Sequence, residues 1–228
     1  MKITNYQQYN KTNNVQNQAF KGVPIAKIKI KDLPACDEIT IFKVNKEDET
    51  FLKQMLEKID LESLYTKVKD KTDFDRWKET IESAITNIMN GSTGLLGVRN
   101  KKPCGIVSYN KIPNQKKYYI DHEATWPTEA DKGTKLAGKA LLRQVFEEAV
   151  EDGTKKTMAV TQNFRPRNKT SKDFYEEIGF EENIKMFTQE VNSTEKHQEI
   201  CKNLDKIMDY EKITNGENIN LTNILDLS

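Results

Sequence analysis

The segment YYIDHEATW carries two carboxylates, Asp121 and Glu123, within a pattern that is typical of a β-strand. Because strand side chains alternate between two faces, both carboxylates are predicted to share one face, while His122 lies on the other. A carboxylate beside a cleft can act as a general base for an attacking amine, and Glu123 is the first candidate and Asp121 the second. The same pair could equally form ion pairs with surface lysines, so both interpretations stay open.

The stretch ATWPTEADKGTKLAGKALL leads from the end of that strand, through a polar turn, into an amphipathic helix. The first N–H groups of a helix have no intrahelical partner, and together with the helix dipole they form a site for an anion. Gly138 would let a ligand approach the backbone, and positive charge would come from Lys132, Lys135 and Lys139. The alternative is a solvated loop in which Gly138 allows the helix to pack closely on the sheet.

The segment NKTSKDFYEEIGF follows the next predicted strand and begins another short helix. Phe174 and Ile178 are spaced to face the core, and Gly179 is placed to end the helix. Tyr175 projects differently, toward one edge of the core. Taken alone, Tyr175 is a core tyrosine whose hydroxyl reaches the surface.

Two predicted helices have apolar sides that identify their buried faces. The helix in DFDRWKETIESAITNIMNG carries a stripe of Trp77, Ile81, Ile85 and Ile88, and the helix in LAGKALLRQVFEEAV carries adjacent pairs of apolar or small residues every four positions.

The elements that must position these segments follow the order β, α, α, β, β, β, α, β, α, β after an extended segment, KGVPIAKIKI, and the last strand is NIKMFTQEV. That order predicts an α/β fold with a mixed, mostly antiparallel sheet flanked by helices. Residues 1–30 are predicted to be a polar, mobile arm. Residues 31–192 are predicted to form the α/β domain, and residues 193–228 a helical and polar C-terminal appendage.

Composition excludes several functional classes. The 36 basic and 35 acidic residues give a net charge of +1, which argues against a nucleic-acid binder. No apolar run approaches the ~20 residues that a membrane span needs, and no signal sequence is recognisable, so a cytoplasmic protein without membrane contact is expected. The isolated Cys36, Cys104 and Cys201 predict neither a metal site nor a disulfide framework, and a homodimer is left open.

Over about residues 38–190, the motifs and their order resemble the GCN5-related N-acetyltransferase (GNAT) superfamily. In the motif N-x-x-S-x-x-F-Y-E-E-I-G-F, the residues at the family's positions are Asn168, Phe174, Tyr175, Gly179 and Phe180. Ser171 replaces the usual alanine of that motif.

The glycine turn departs from the family's pattern R/Q-x-x-G-x-G/A. Gly138 matches the last small residue, but Leu136 stands where the earlier glycine is expected and Gly133 where Arg or Gln is expected. The distance from Pro127 to Gly138 is also longer than usual. This departure leaves the identity of the phosphate-contacting amides open.

The resemblance implies a sheet splayed around an acyl-CoA cleft, with acetyl-CoA as the acyl donor and no metal. The pantetheine arm would lie along Ala124, Thr125 and Trp126, near Asn168. The pyrophosphate would be held by the turn and helix start, which consist of Gly133, Thr134, Lys135, Leu136, Ala137, Gly138 and Lys139. Tyr175 would lie near the sulfur.

The implied reaction is direct attack of an amine on the thioester carbonyl of acetyl-CoA. A backbone N–H can stabilise the oxyanion, and a neutral tyrosine with a pKa near ~10 can protonate the leaving thiolate. The acceptor amine could belong to a small molecule or to a protein. Two other interpretations stay open: a non-catalytic acyl-CoA-binding or protein-interaction module with this fold, and a regulatory domain without a cofactor.

Overall fold

The computed structural model describes residues 21–31, 38–64, 71–126, 136–159, 169–184, 186, 188–217, 219–220 and 225 of the 228-residue chain. Its strands are β1 (Lys21–Ile30), β2 (Glu38–Val44), β3 (Thr93–Arg99), β4 (Lys102–Ile112), β5 (Lys117–Thr125), β6 (Lys156–Ala159), β7 (Glu181–Asn183), β8 (Thr188–Val191), β9 (Met208–Lys212) and β10 (Ile219–Asn220). Its helices are α1 (Glu49–Lys58), α2 (Leu61–Leu64), α3 (Lys71–Met89), α4 (Ala137–Glu151), α5 (Lys169–Ile178) and α6 (Thr194–Leu204). Short 3-10 helices lie at Lys46–Asp48 and Pro113–Gln115.

Within the described residues, ten strands form one sheet in the order β10-β1-β2-β3-β4-β5-β6-β8-β7, and β9 also pairs with β1. The described strand pairs are antiparallel except for β5 and β6, which run parallel. Parallel neighbours need a crossover connection, and α4 lies within the connection between β5 and β6. The predicted α/β class, with a mostly antiparallel sheet flanked by helices, is confirmed.

Helices cover both faces of the sheet. On one side, called the α3 face, α1 and α3 enclose a core that includes Ile81, Ile85 and Ile88. On the other side, called the α4 face, α4, α5 and α6 enclose a core that includes the fully buried Leu141 and Phe146. Helices α3 and α4 show the predicted spacing of buried residues. Full burial of one large apolar side chain stabilises the fold by roughly 1.5–3 kcal/mol. The two cores therefore stabilise the position of β5, which lies between them.

The sheet begins earlier than the predicted domain boundary. The sequence predicts a mobile arm over residues 1–30, but residues 21–30 form β1, which pairs with β2 along most of its length. The physical reason is that the alternate residues Ala26, Ile28 and Ile30 are buried in the α4-face core, although Lys27 and Lys29 stand between them. Residues 1–20 lie outside the described part of the chain.

One predicted strand is wrong in its extent. The segment NIKMFTQEV was expected to be a single strand, but β7 and β8 form a hairpin there. Ile184 and Met186 give the segment a strand-like alternation, yet they are 69% and 62% exposed at the turn of the hairpin. The hairpin places β7 at one edge of the sheet.

The residues after position 192, predicted as an appendage, pack on the same fold. Helix α6 adds Ile200 and Leu204 to the α4-face core, and β9 pairs with β1. The buried Arg143 of α4 holds the end of α6, because its guanidinium donates to both carboxylate oxygens of Asp205 at 2.8 and 3.1 Å.

Candidate active site

A β-bulge divides β5 into two halves that face opposite sides of the sheet. The pairing with β4 passes from Ser108↔His122 to Tyr109↔Ile120, which leaves Asp121 as an extra residue. Before the bulge, the even-numbered Ile120 lies in the α4-face core. After the bulge, the even-numbered Ala124 lies in the α3-face core. A single inserted residue therefore exchanges the two faces of the strand.

The bulge overturns the prediction that Asp121 and Glu123 share a face. Glu123 pairs across the strands with Val107, a residue of the α4-face core, and its carboxylate contacts α5. Asp121 instead accepts a hydrogen bond from Asn110 Nδ2 at 2.7 Å and one from Ser92, which follows α3, at 3.4 Å. The two candidate bases are thus directed to opposite sides of the sheet.

Glu123 and Tyr175 form the contact that joins the two predicted motifs. Tyr175 donates its hydroxyl proton to Glu123 Oε2 at 3.1 Å. Its ring is held edge-on by Phe174 and Phe180, with ring centroids 5.4 and 4.9 Å away. Tyr175 is 8% exposed, which agrees with a core tyrosine, but its hydroxyl is directed at a carboxylate of β5 and not at the surface as predicted.

Burial changes the acidity of both members of this pair. Burial raises the pKa of Glu123 to about 8, although the hydrogen bond from Tyr175 opposes the rise. Burial, followed by the charge and hydrogen bond of Glu123, raises the pKa of Tyr175 well above its usual value of 10. A carboxyl group that titrates near neutrality is suited to proton transfer, and such groups are concentrated at functional sites.

Gly138 lies in the first turn of α4, and the side on which a side chain would project is already filled. A Cβ atom at this position would lie 2.7 Å from Glu123 Oε1, 3.1 Å from Phe174 Cζ and 3.5 Å from Thr125 Cγ2. This geometry supports the packing explanation of the glycine, because β5 and α5 approach the helix backbone there. The same packing brings the helix start within contact of the Glu123–Tyr175 pair.

The start of α4 keeps the features of an anion site among its described residues. Leu136 occupies the N-cap position without a side-chain hydrogen bond to the helix, and Ala137 and Gly138 follow it. Uncapped N–H groups at a helix start favour a negatively charged ligand. Lys139 was expected to supply positive charge, but its Nζ lies 2.6 Å from Glu177 Oε1 and thereby links α4 to α5.

Asp121 occupies a polar niche on the α3 face. Burial raises the pKa of its carboxyl group to about 6, and the hydrogen bond from Ser92 limits the rise. The neighbouring His122 lies on the same face, where burial lowers the pKa of its imidazole and the charge of Glu79 on α3 opposes that shift. His122 was predicted on the face opposite to Asp121, but the bulge places both residues on the α3 face.

The end of β5 is anchored from the α3 face. Trp77 Nε1 of α3 donates to the carbonyl of Thr125 at 3.0 Å, and the backbone N–H of Trp126 donates to the carbonyl of Cys104 at 3.0 Å. Ala124 and Trp126 are buried in the α3-face core. The backbone of residues 124–126, where the pantetheine arm was expected, is therefore fixed by α3 and β4.

Several predicted cofactor-binding residues lie outside the described part of the chain: Gly133, Thr134, Lys135 and Asn168. The described pairing of β5 with β6 ends at Ile120↔Ala159, and residues 160–168 are not described. The expected splay between these strands therefore stays a prediction.

Sequence reasoning missed Trp77, Ser92 and Asn110. The sequence predicts Trp77 in the buried stripe of α3. Nothing in the sequence indicates that its indole N–H donates a hydrogen bond to a strand 48 residues further along the chain. Asn110 lies near the end of β4, two residues before its last residue, Ile112. The register of the β4–β5 hairpin could have placed Asn110 near Asp121, but nothing in the sequence indicates Ser92.

In the described part of the chain, no group of three or more His, Cys, Asp or Glu side chains is arranged to hold a metal ion. None of the described helices combines the length and apolar character needed to cross a membrane.

Comparison with known proteins places the chain in a family. The model of the acetyltransferase (GNAT) family matches residues 54–180, which is more than half of the chain. No curated protein sequence matches the chain.

Solved structures of several acetyltransferases are similar to the chain. The PaiA N-acetyltransferase of Thermoplasma acidophilum, in complex with coenzyme A, is 19% identical, with a TM-score of 0.45 over 68% of this chain and 98% of that chain. A GNAT-family acetyltransferase of Staphylococcus aureus is 17% identical, with a TM-score of 0.44 and the same two coverages, 68% and 98%. The ribosomal-protein-S18-alanine N-acetyltransferase of Escherichia coli is 14% identical, with a TM-score of 0.41 over 79% and 98%. On the family match, the chain belongs to the acetyltransferase (GNAT) family.

Proposed function

We propose that this protein transfers the acetyl group of acetyl-CoA to an amine by direct attack of the amine on the thioester. The observation that carries the proposal is the meeting of Tyr175, Glu123 and the uncapped start of α4 at one place on β5. A phosphate-bearing ligand held at the helix start would extend toward a phenol and a carboxyl group that can exchange protons. Family membership supports the choice of acetyl-CoA as that ligand.

In this proposal the cofactor follows the predicted path. Backbone groups of residues 124–126 that Trp77 and β4 do not already bond bind the pantetheine arm, with Asn168 near it. Leu136, Ala137, Gly138 and Lys139 receive the pyrophosphate together with Gly133, Thr134 and Lys135. Tyr175 protonates the thiolate of CoA as it leaves, because a neutral phenol within hydrogen-bond reach of the sulfur can act as a general acid.

Asp121 is the better candidate for the base that receives the proton of the amine. Glu123 is engaged by Tyr175, whereas Asp121 lies on the α3 face, away from the start of α4. An amine approaching from that face would meet a carboxylate oriented by Asn110 and Ser92. Because the pKa of Asp121 is raised to about 6, it is ionised at neutral pH and still basic enough to accept a proton.

The test is release of free thiol from acetyl-CoA in the presence of amines of four classes: polyamines, aminoglycosides, amino acids and lysine peptides. Tyr175→Phe should lower turnover by about 10²–10⁴-fold, as loss of a general acid does, with little change in the affinity for acetyl-CoA. Tyr210→Phe is the matched control, because the Tyr210 hydroxyl donates to Gln144 in the middle of α4, away from the helix start. Equal losses of turnover and affinity in Tyr175→Phe would contradict the assigned role.

A further inference from the structure

The single hydroxyl proton of Tyr175 cannot serve two acceptors at once. In the structure, Tyr175 donates that proton to Glu123 Oε2 at 3.1 Å. While the proton is directed at an ionised carboxylate, it is not available to a leaving thiolate. A protonated Glu123 reverses the bond, because its own O–H then donates to the phenol oxygen and frees the phenol proton.

We propose that Glu123 is a positioning residue that acts through Tyr175, and that the active enzyme carries Glu123 in its protonated form. This inference rests on the proposed function. It assigns Glu123 a role opposite to that of a general base, since a base must be ionised before the reaction begins.

The proton transfers balance in the proposed step. The amine nitrogen forms a bond to the thioester carbon, the C–S bond breaks, and its electron pair goes to sulfur. The phenol proton of Tyr175 moves to sulfur, and the carboxyl proton of Glu123 moves to the phenol oxygen. The amine nitrogen loses a proton to Asp121, which later passes it to solvent, and solvent returns a proton to Glu123.

The surroundings of Glu123 favour the protonated form. Among the described residues, Tyr175 of α5 is the one titratable group that contacts it, and the β4 and α4 neighbours are Val107 and Gly138. Lys139, one position further along α4, directs its ammonium group to Glu177 on α5. A partly buried carboxyl group that no described cationic side chain contacts holds its proton more strongly.

The pKa values also fit a relay in which Glu123 passes a proton to Tyr175 while Tyr175 passes one to the sulfur of CoA. Burial raises the pKa of Glu123 to about 8, close to the ~8.5 of an ordinary thiol. The pKa of Tyr175 is raised well above 10 by burial and by Glu123, so a phenol beside an ionised Glu123 is a poor proton donor to a thiolate. A phenol that receives a proton from Glu123 as it gives one to sulfur avoids this mismatch.

The experiment measures kcat/KM for acetyl-CoA against pH for the wild type and for Glu123→Gln. One amine is used throughout, and the acetyl-CoA concentration is varied. Because both enzymes use the same amine and carry Asp121, dividing one kcat/KM by the other removes the pH dependence that these two groups contribute. Because glutamine cannot ionise, the wild-type to variant ratio should follow the protonated fraction of Glu123 and fall roughly tenfold between pH 7 and pH 9. A ratio that stays constant or rises with pH would overturn the proposal, and a rise would identify Glu123 as a base.

A second measurement uses the wild-type protein alone and requires no acceptor. With ¹³C-labelled glutamate and assignment through Glu123→Gln, NMR follows the carboxyl carbon of Glu123 through its titration. A midpoint between pH 7 and pH 9 supports the protonated form at neutral pH, and a midpoint below pH 6 overturns it. Absence of turnover with every amine would instead count against the proposed function, so the two failures are distinguishable.

Discussion

Replacing Gly138 by alanine tests why a glycine stands at the start of α4. The added Cβ would lie 2.7 Å from Glu123 Oε1 and 3.1 Å from Phe174 Cζ. Both distances are shorter than the ~3.5–4.0 Å of a favourable carbon contact. Glu123 must therefore swing aside and Phe174 must move, so we expect the hydrogen bond between Tyr175 and Glu123 to be lost.

Opposing effects set the size of the change in the free energy of unfolding. Alanine exceeds glycine in helix propensity by up to ~1 kcal/mol. Overpacking a filled site costs ~1–3 kcal/mol, and a lost hydrogen bond costs about 1 kcal/mol more. We expect a net destabilisation of roughly 1–3 kcal/mol, at about 2–4 °C of melting temperature per kcal/mol for a chain of this length.

Calorimetry of the ligand-free protein provides the assay. If Gly138 served only to let a ligand approach the backbone, alanine would raise the melting temperature through its helix propensity. An unchanged or higher melting temperature would therefore refute the packing explanation. The control is the same substitution in a Glu123→Ala background, where the penalty should shrink because the nearest obstructing atom is gone.

Two further perturbations test the polar contacts of the sheet. Ser92→Ala removes a donor that lowers the pKa of Asp121, so the acid limb of the rate profile should move above about pH 6, and an unmoved limb would exclude Asp121 as the base. Lys111→Met removes the ammonium group 2.7 Å from the buried Glu148 and should lower the free energy of unfolding by about 3 kcal/mol at pH 7. Burial alone would raise the pKa of Glu148, but Lys111 and Lys43 lower it overall. This stabilisation is present above the ordinary pKa of 4.5 and is lost as pH falls through the lowered value, so the variant and wild type should converge in urea unfolding at acid pH.

Local patterns were sufficient to predict most elements of the fold. The spacing of Ile81, Ile85 and Ile88 predicted the buried side of α3, and the paired apolar residues of α4 predicted the side that packs on the sheet. Both predictions hold because helix periodicity depends on neighbours within one or two turns. The extended segment at Lys21–Ile30 was also recognisable, although its place in the sheet was not.

The site depends on features that a local pattern does not contain. Strict alternation placed Asp121 and Glu123 together, and the bulge that separates them follows from the register between β4 and β5. Ser92, which bonds Asp121, and Trp77, which bonds Thr125, come from the turn after α3 and from α3 itself, far away in the sequence. Gly138 shows the same limit, because glycine suits both ligand approach and close packing, and only the position of Glu123 distinguishes them.

The most direct test of the central claim is the melting temperature of the purified protein titrated with acetyl-CoA. A ligand at 100 times its Kd stabilises the folded state by about 2.7 kcal/mol, which corresponds to a rise of roughly 5–10 °C for a chain of this length. We expect a rise of this size that saturates with ligand concentration. If acetyl-CoA causes no shift and no CoA accompanies the purified protein, the chain is not an acetyl-CoA-dependent enzyme.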